Sequence, residues 1–312
     1  MGKIATREAY GQALAEFGEK YDIVVLDADL SKSTKTDTFK KKYPDRFFNT
    51  GIAEANMMAT AAGLATCGKT VFASSFAMFA AGRAFEQVRN SICYPNLNVK
   101  IGATHAGISV GEDGASHQCL EDLSLMRTIP NMTVICPADA TESILAVEAA
   151  IKHNGPVYLR FGRLAVPELF DRATYQFELG KGVQLEDGTD VTLVATGLMV
   201  PEALEAKKIL AEQGISARVI NIHTIKPIDK DILVKAAKET GALVTAEEHN
   251  VIGGLGSAVA EVLVENFPVP MVRVGTQDVF GKSGKPAALL EAYGLTAANI
   301  AEQAKKAIAM KK

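Results

Sequence analysis

The sequence has no tryptophan, only four cysteines and five histidines in 312 residues, and no excess of charge of either sign. Its 33 basic and 36 acidic side chains leave a formal net charge of −3. Without a positive excess there is no field to gather phosphate backbones, so no nucleic-acid partner is expected. No apolar run approaches the roughly 18–20 residues of a membrane-spanning helix, so no membrane partner is expected either. The amino terminus has no apolar signal core, and the expected compartment is cytoplasmic. Gly2 and Thr6 fit a loose myristoylation pattern, but the simpler reading is that Gly2 leads into the first helix. Cys67, Cys93, Cys119 and Cys136 form no C-x-x-C pair, so neither a disulfide framework nor a zinc site is expected. What is present is ordinary soluble composition, 48% hydrophobic and 22% charged, which excludes a disordered chain. The length suits one large or two modest domains.

Strand-type and helix-type segments alternate. The continuous apolar run 23–26 has the character of a buried strand, and it follows a helical pattern that Thr6 is placed to cap. Further strands are expected at 70–73, 99–103, 133–136 and 157–159, with helices at 53–66, 76–90 and 139–152. This alternation predicts an α/β fold in which a mostly parallel sheet is flanked by helices on both faces. Residues 166–189 lose the periodicity and read as a linker between a first domain, 1–165, and a second, 190–312. In the second domain strands are expected at 191–195, 217–220, 243–246 and 270–274. Helices are expected at 200–213 and 229–240, after Gly256, and twice more before the end of the chain.

Gly253-Gly254-Leu255-Gly256 lies between a strand and a helix, where helix amides can hold a phosphate. As a dinucleotide fingerprint it is incomplete, because Val259 stands at the third glycine position, and a tight turn is the better reading. The segment 104–118, THAGISVGEDGASHQ, is more informative. It leaves the carboxyl end of an expected parallel strand, where active sites of open α/β sheets form. It carries His105, Asp113 and His117 among three glycines, which suits hydrogen bonding to several hydroxyls. Gly51-Ile52-Ala53-Glu54 opens an otherwise apolar helix. Glu54 there can serve the helix dipole or chemistry, and local sequence does not decide between them. Phe76 and Phe79 lie three apart on an expected helical face, either as core or as a platform for a flat ring.

Taken in order, G-I-A-E, S-S-F-x-x-F and T-H-x-G-x-x-x-G-E-D-G-x-x-H-Q resemble the thiamine-diphosphate enzymes of the transketolase group over essentially the whole chain. The resemblance implies a pyrimidine-binding domain followed by the transketolase carboxyl-terminal domain. It also implies roles. Glu54 matches the catalytic acid that bonds N1′ of the cofactor's aminopyrimidine and shifts the ring toward its imino tautomer. That task implies a buried carboxyl with a raised pKa. Phe76 and Phe79 match the aromatics that pack the pyrimidine, and Asp29 lies near the thiazolium. A third family aromatic is replaced by Gly82, so the pocket is more open or is completed by Phe85.

His105 and His117 match family residues that act on the ketose hydroxyls and carbonyl, and Asp113 matches one that senses the C2 hydroxyl. Arg7, Ser33 and Arg163 match sugar-phosphate positions, for which arginine forks are suited. The family often has Asp after the first His, where this chain has Ala106.

The family's Gly-Asp-Gly motif, which ligates a divalent metal and the diphosphate, is missing. The resemblance therefore implies no metal site in this chain. Mg²⁺ or Ca²⁺ is expected on an amino-terminal transketolase subunit, which joins two copies of this chain in an α2β2 assembly. The implied reaction moves a two-carbon ketol unit from a ketose phosphate to an aldose phosphate. The β subunit of a 2-oxo-acid dehydrogenase, a 1-deoxyxylulose-5-phosphate synthase-like enzyme and a non-catalytic regulatory subunit are the competing readings. No chemistry is assigned to residues 190–312, where His223 and His249 read as structural.

Overall fold

Strand Ile23–Asp27 is buried along its whole length, and its side chains divide by twos. Ile23 and Val25 enter one apolar cluster, Val24 and Leu26 another. A strand that is apolar on both sides needs cover on both sides, and the chain supplies it. In the computed structural model, which describes residues 2–311, this strand belongs to a seven-stranded sheet. Its order is Thr224–Lys226, Thr133–Ile135, Val157–Arg160, Val99–Thr104, Thr70–Phe76, Ile23–Asp27 and Phe47–Asn49. Helices Thr6–Lys20 and Ala140–Lys152 cover one face through Tyr10, Leu14, Phe17 and Val147. Helix Glu54–Thr66 covers the other through Met57, Met58 and Ala61. Six strands run parallel, so the carboxyl ends of Ile23–Asp27, Thr70–Phe76, Val99–Thr104 and Val157–Arg160 open on one edge.

A second sheet of five strands runs Met271–Thr276, Leu243–Asn250, Val191–Ala195, Ala217–Asn221, Val183–Glu186, with only the last antiparallel. The whole is α/β, as expected. The two sheets exchange material. Just beyond Ala217–Asn221, strand Thr224–Lys226 leaves the second sheet and pairs antiparallel with Thr133–Ile135 of the first. Ile222, Ile225 and Leu255 share one apolar cluster with Val134 and Met126. The segment after strand Ala165–Pro167 is pinned as well. Asp139 caps helix Ala140–Lys152 with Oδ1 on the Glu142 amide at 2.8 Å, while its Oδ2 accepts the Leu169 and Phe170 amides at 2.7 and 2.9 Å.

Three local expectations change. Thr6 does not cap the first helix. It is the first helical residue, and its hydroxyl accepts the Gly162 amide at 2.8 Å. The expected helix 76–90 is instead a strand ending on Phe76, followed by two wide π-helical stretches, Met78–Arg83 and Val88–Cys93. Gly2 leads first into a short strand, Lys3–Ala5, that pairs with Ala165–Pro167.

The glycine turn before helix Leu255–Asn266 holds no free anion position. Gly253 has φ +80°, and the Leu255 and Gly256 amides both donate to the Glu247 carboxylate, at 2.7 and 2.8 Å. A buried side chain of the protein thus sits where a phosphate could have been held. His223 is buried against Phe177, with ring centroids 4.2 Å apart, and His249 is buried beside Asp122 and Glu247, so both are packed within the protein. Among the described residues no helix is long and apolar enough to cross a membrane.

Candidate active site

The open edge of the first sheet gathers most of the expected site residues, because the parallel strands deliver their following loops to one side. Glu54 begins helix Glu54–Thr66 directly after the turn 51–53 and is 1% exposed. Phe76 closes its strand, and Phe79 stands in the helical turn that follows. Their rings stack at 5.9 Å with an interplanar angle of 16°. His105 follows strand Val99–Thr104 with φ +56°, and its ring lies 3.8 Å from that of Phe76. His117 meets Phe79 edge-on at 5.4 Å. An aromatic floor of two phenylalanines is thereby walled by two histidines.

The cationic side lies next to this floor. Arg7 Nη1 donates to the Ser33 carbonyl at 2.9 Å and to His105 Nε2 at 3.0 Å. An arginine can only donate, so Nε2 of His105 is the acceptor and Nδ1 carries the proton. Nδ1 then donates to Thr104 Oγ1 at 2.9 Å. Burial, reinforced by the charges of Arg7 and Arg163, holds the His105 pKa down at about 3, so the ring is neutral. Arg163 donates to the Val110 carbonyl and to Glu112 at 3.2 Å. Arg7 and Arg163 line one cavity of about 250 Å³ together with Ser109, Glu112 and Pro286.

Two expected residues stand apart. Asp113 is exposed on the rim of the loop. Asp29, with φ +65°, is exposed and pairs with Asn49, its Oδ1 accepting from Nδ2 at 2.9 Å. Ser33 enters through its backbone carbonyl. Phe85 packs, partly buried, against the large apolar cluster.

Two features were not read from the sequence. The first is Arg83, whose Nη1 donates to Glu54 Oε2 at 2.8 Å. Its sequence signal is faint, a lone arginine in the mostly apolar stretch 76–85. The second is the support of loop 104–118 by the second domain. Glu248, buried near the end of strand Leu243–Asn250, accepts the Ser109 amide at 2.6 Å. Gln118 Nε2 donates to the Lys282 carbonyl at 3.0 Å. The loop's three glycines meet Glu248, Pro286 and Ser283 respectively. They allow the second domain to approach the loop closely.

The buried carboxylate and stacked phenyl rings fit a flat heteroaromatic ring with a basic nitrogen. The arginine-lined cavity fits a phosphate. Two α/β units joined in this order, with that floor and that cavity at one sheet edge, have the architecture of a pyrimidine-binding domain and its companion domain. The transketolase pyrimidine-binding domain model matches residues 2–168, and the transketolase C-terminal domain model matches residues 180–300. A Methanocaldococcus jannaschii protein named as a transketolase C-terminal section is 53% identical over 300 residues, covering 95% of this chain and 94% of its own length. A 6-deoxy-6-sulfo-D-fructose transketolase subunit of Clostridium sp. is 46% identical over 299 residues, covering 96% and 92%. A solved structure described as a split gene transketolase, inactive beta4 tetramer, matches with a TM-score of 0.93 at 59% identity, covering 99% of this chain and 100% of that one. The chain belongs to the transketolase family, whose enzymes depend on thiamine diphosphate.

Proposed function

We propose that this chain is the carboxyl-terminal subunit of a split transketolase. In this reading it transfers a two-carbon ketol unit from a ketose phosphate to an aldose phosphate, together with an amino-terminal subunit. The observation that carries the reading is the unbroken run of contacts at one sheet edge. It passes from Glu54 through Arg83, Phe79, Phe76 and His105 to Arg7. A ring-binding carboxylate and a phosphate-binding arginine thus belong to one site. The names of the relatives add support for a subunit split between chains.

Thiamine diphosphate, when bound, would supply a nucleophilic carbon and an electron sink for carbon–carbon bond cleavage. Glu54, held in place by its helix, bonds the basic ring nitrogen and exchanges a proton there. Phe76 and Phe79 pack the ring and exclude water from its faces. His117 stands beside that floor, placed to hydrogen-bond the sugar's oxygens, and Asp113 on the rim faces an arriving acceptor's hydroxyls. Arg7 and Arg163 hold the phosphate end of the sugar, with His105 and Ser33 completing that wall. The amino-terminal subunit holds the diphosphate and its Mg²⁺ or Ca²⁺, and two pairs of subunits make an α2β2 enzyme in the cytoplasm.

The test is a coupled assay on the chain reconstituted with an amino-terminal transketolase subunit, using xylulose 5-phosphate and ribose 5-phosphate. Turnover is expected, and Glu54→Gln is expected to abolish nearly all of it while the complex still assembles. Decarboxylation of 2-oxo acids without sugar turnover sinks the reading in favour of a 2-oxo-acid dehydrogenase subunit. Full activity in Glu54→Gln marks a non-catalytic subunit.

A further inference from the structure

Arg83 makes two contacts at once. Its guanidinium carbon stands 4.6 Å from the centroid of the Phe79 ring, and its Nη1 donates to Glu54 Oε2 at 2.8 Å. The geometry follows from the π-helical stretch Met78–Arg83, which brings Phe79 and Arg83 to one side of a widened turn. The two partners differ in exposure: the Glu54 side chain is 1% exposed and that of Arg83 is 52% exposed. A buried carboxylate stripped of its partner is costly, whereas a half-exposed arginine can turn its head into water with its stem still packed.

A guanidinium is flat, carries its donors in its plane, and stacks on aromatic faces. An aminopyrimidine ring is also flat and makes the same pair of interactions, a stack on a phenyl ring and an in-plane bond to a carboxyl. We propose that Arg83 is a built-in placeholder for that ring. In the cofactor-free chain it covers the face of Phe79 and satisfies Glu54, and it leaves for solvent when the ring enters. This rests on the thiamine-diphosphate reading given above and adds to it a residue that competes with the cofactor. Glu54 is then never left buried without a partner. The cost falls on affinity, because the binding-competent arrangement is only part of the population.

The experiment has two arms. In the first, urea denaturation of the chain alone measures Glu54→Gln, Arg83→Met and the double variant, with no cofactor or partner present. The single variants are expected to lower the midpoint, and the double to fall no further than the worse single. Additive losses overturn the proposal. In the second, calorimetry follows thiamine diphosphate with Mg²⁺ binding to the reconstituted complex. Arg83→Met is expected to bind about tenfold more tightly than wild type, as loss of one competing ion pair implies. Arg83→Lys, which keeps the charge without the flat fork, is expected to fall between them. Equal or weaker binding by Arg83→Met, with the coupling of the first arm intact, makes the pair purely structural and overturns the placeholder. Absence of binding by wild type and variant alike overturns the cofactor reading, and the placeholder with it.

Discussion

The carboxylate of Glu248, in the second domain, accepts the backbone amide of Ser109, in the loop that carries His105 and His117, at 2.6 Å. Neither group reaches water: Ser109 is fully buried and Glu248 nearly so. The second domain therefore acts as the wall against which loop 104–118 is shaped. Glu248→Ala leaves the Ser109 amide buried without an acceptor, which costs about 2 kcal/mol or more once the vacated volume is included. Urea unfolding measures this directly, and a loss under about 0.5 kcal/mol would show that water replaces the carboxylate without cost.

Gly107 is bound to the same contact. It has φ +86°, and a Cβ placed there would stand 2.2 Å from the Glu248 carboxyl carbon. Gly107→Ala thus pays for its backbone conformation and for a collision. In the Glu248→Ala background the collision disappears and only the backbone cost remains, about 2–3 kcal/mol for a conformation (φ +86°, ψ −177°) open essentially to glycine alone. The two substitutions are expected to be less than additive, and simple additivity would refute the contact.

Asp122 and Arg160 form a second junction beneath the loop. Arg160 Nε donates to Asp122 Oδ2 at 2.8 Å, Tyr158 adds its hydroxyl at 2.9 Å, and Arg160 also donates to the Glu248 carbonyl at 2.9 Å. The ion pair is buried on both sides. Asp122→Asn strands a buried guanidinium, and a loss of about 3 kcal/mol is expected in thermal or urea unfolding. A loss near zero would mean that the arginine finds water or another partner.

How much of this was readable in advance depends on sequence distance. The run 23–26 announced its strand because an apolar tetrapeptide cannot be left uncovered. The histidine loop was visible because its residues lie within one segment. Arg83 and Glu54 are 29 residues apart, and Glu248 and Ser109 are 139 apart, so each pair exists only once the fold brings it together. The strand Thr224–Lys226 is too short to show a period, and its place in the first sheet is set by its partner Thr133–Ile135. Phe76 and Phe79 pair as their spacing suggests, yet one ends a strand and the other lies inside the π-helical stretch Met78–Arg83, a change of backbone that spacing does not encode.

The state of His105 is open to direct observation. Burial and the neighbouring arginines hold its pKa at about 3, and the Arg7 contact leaves the proton on Nδ1. Nitrogen NMR on labelled protein is expected to show one neutral tautomer, protonated at Nδ1, from pH 8 down to about 4. Inorganic phosphate held between Arg7 and Arg163 brings a negative charge nearby and is expected to move the His105 titration upward. A ring that titrates near 6.5 without phosphate contradicts the assigned environment.

Glu142 is one of the groups that make stability at the domain junction depend on pH; the buried Glu247 and Glu248, also pushed up to about 7, act in the same sense. Glu142 is buried, accepts the Ala138 amide at 2.6 Å, Asn221 Nδ2 at 2.8 Å and the Tyr175 hydroxyl, and burial pushes its pKa up to about 7. Its ordinary value is 4.5, so between 4.5 and 7 the folded chain holds a proton that the unfolded chain has lost. The contribution of this group to stability is therefore complete below about pH 4.5, falls as pH rises through 7, and is flat above. The buried histidines His223 and His249, both held down at about 4, act in the opposite sense between pH 4 and 6.5. The total stability curve thus conceals each group, and the difference between wild type and Glu142→Gln isolates one. That difference is expected to shift by about 3 kcal/mol against wild type between pH 4.5 and 8, at 1.36 kcal/mol per unit. A difference that stays constant across this range would mean that Glu142 is ionised in the folded chain throughout, with Tyr175, Asn221 and the Ala138 amide sufficient to hold its charge.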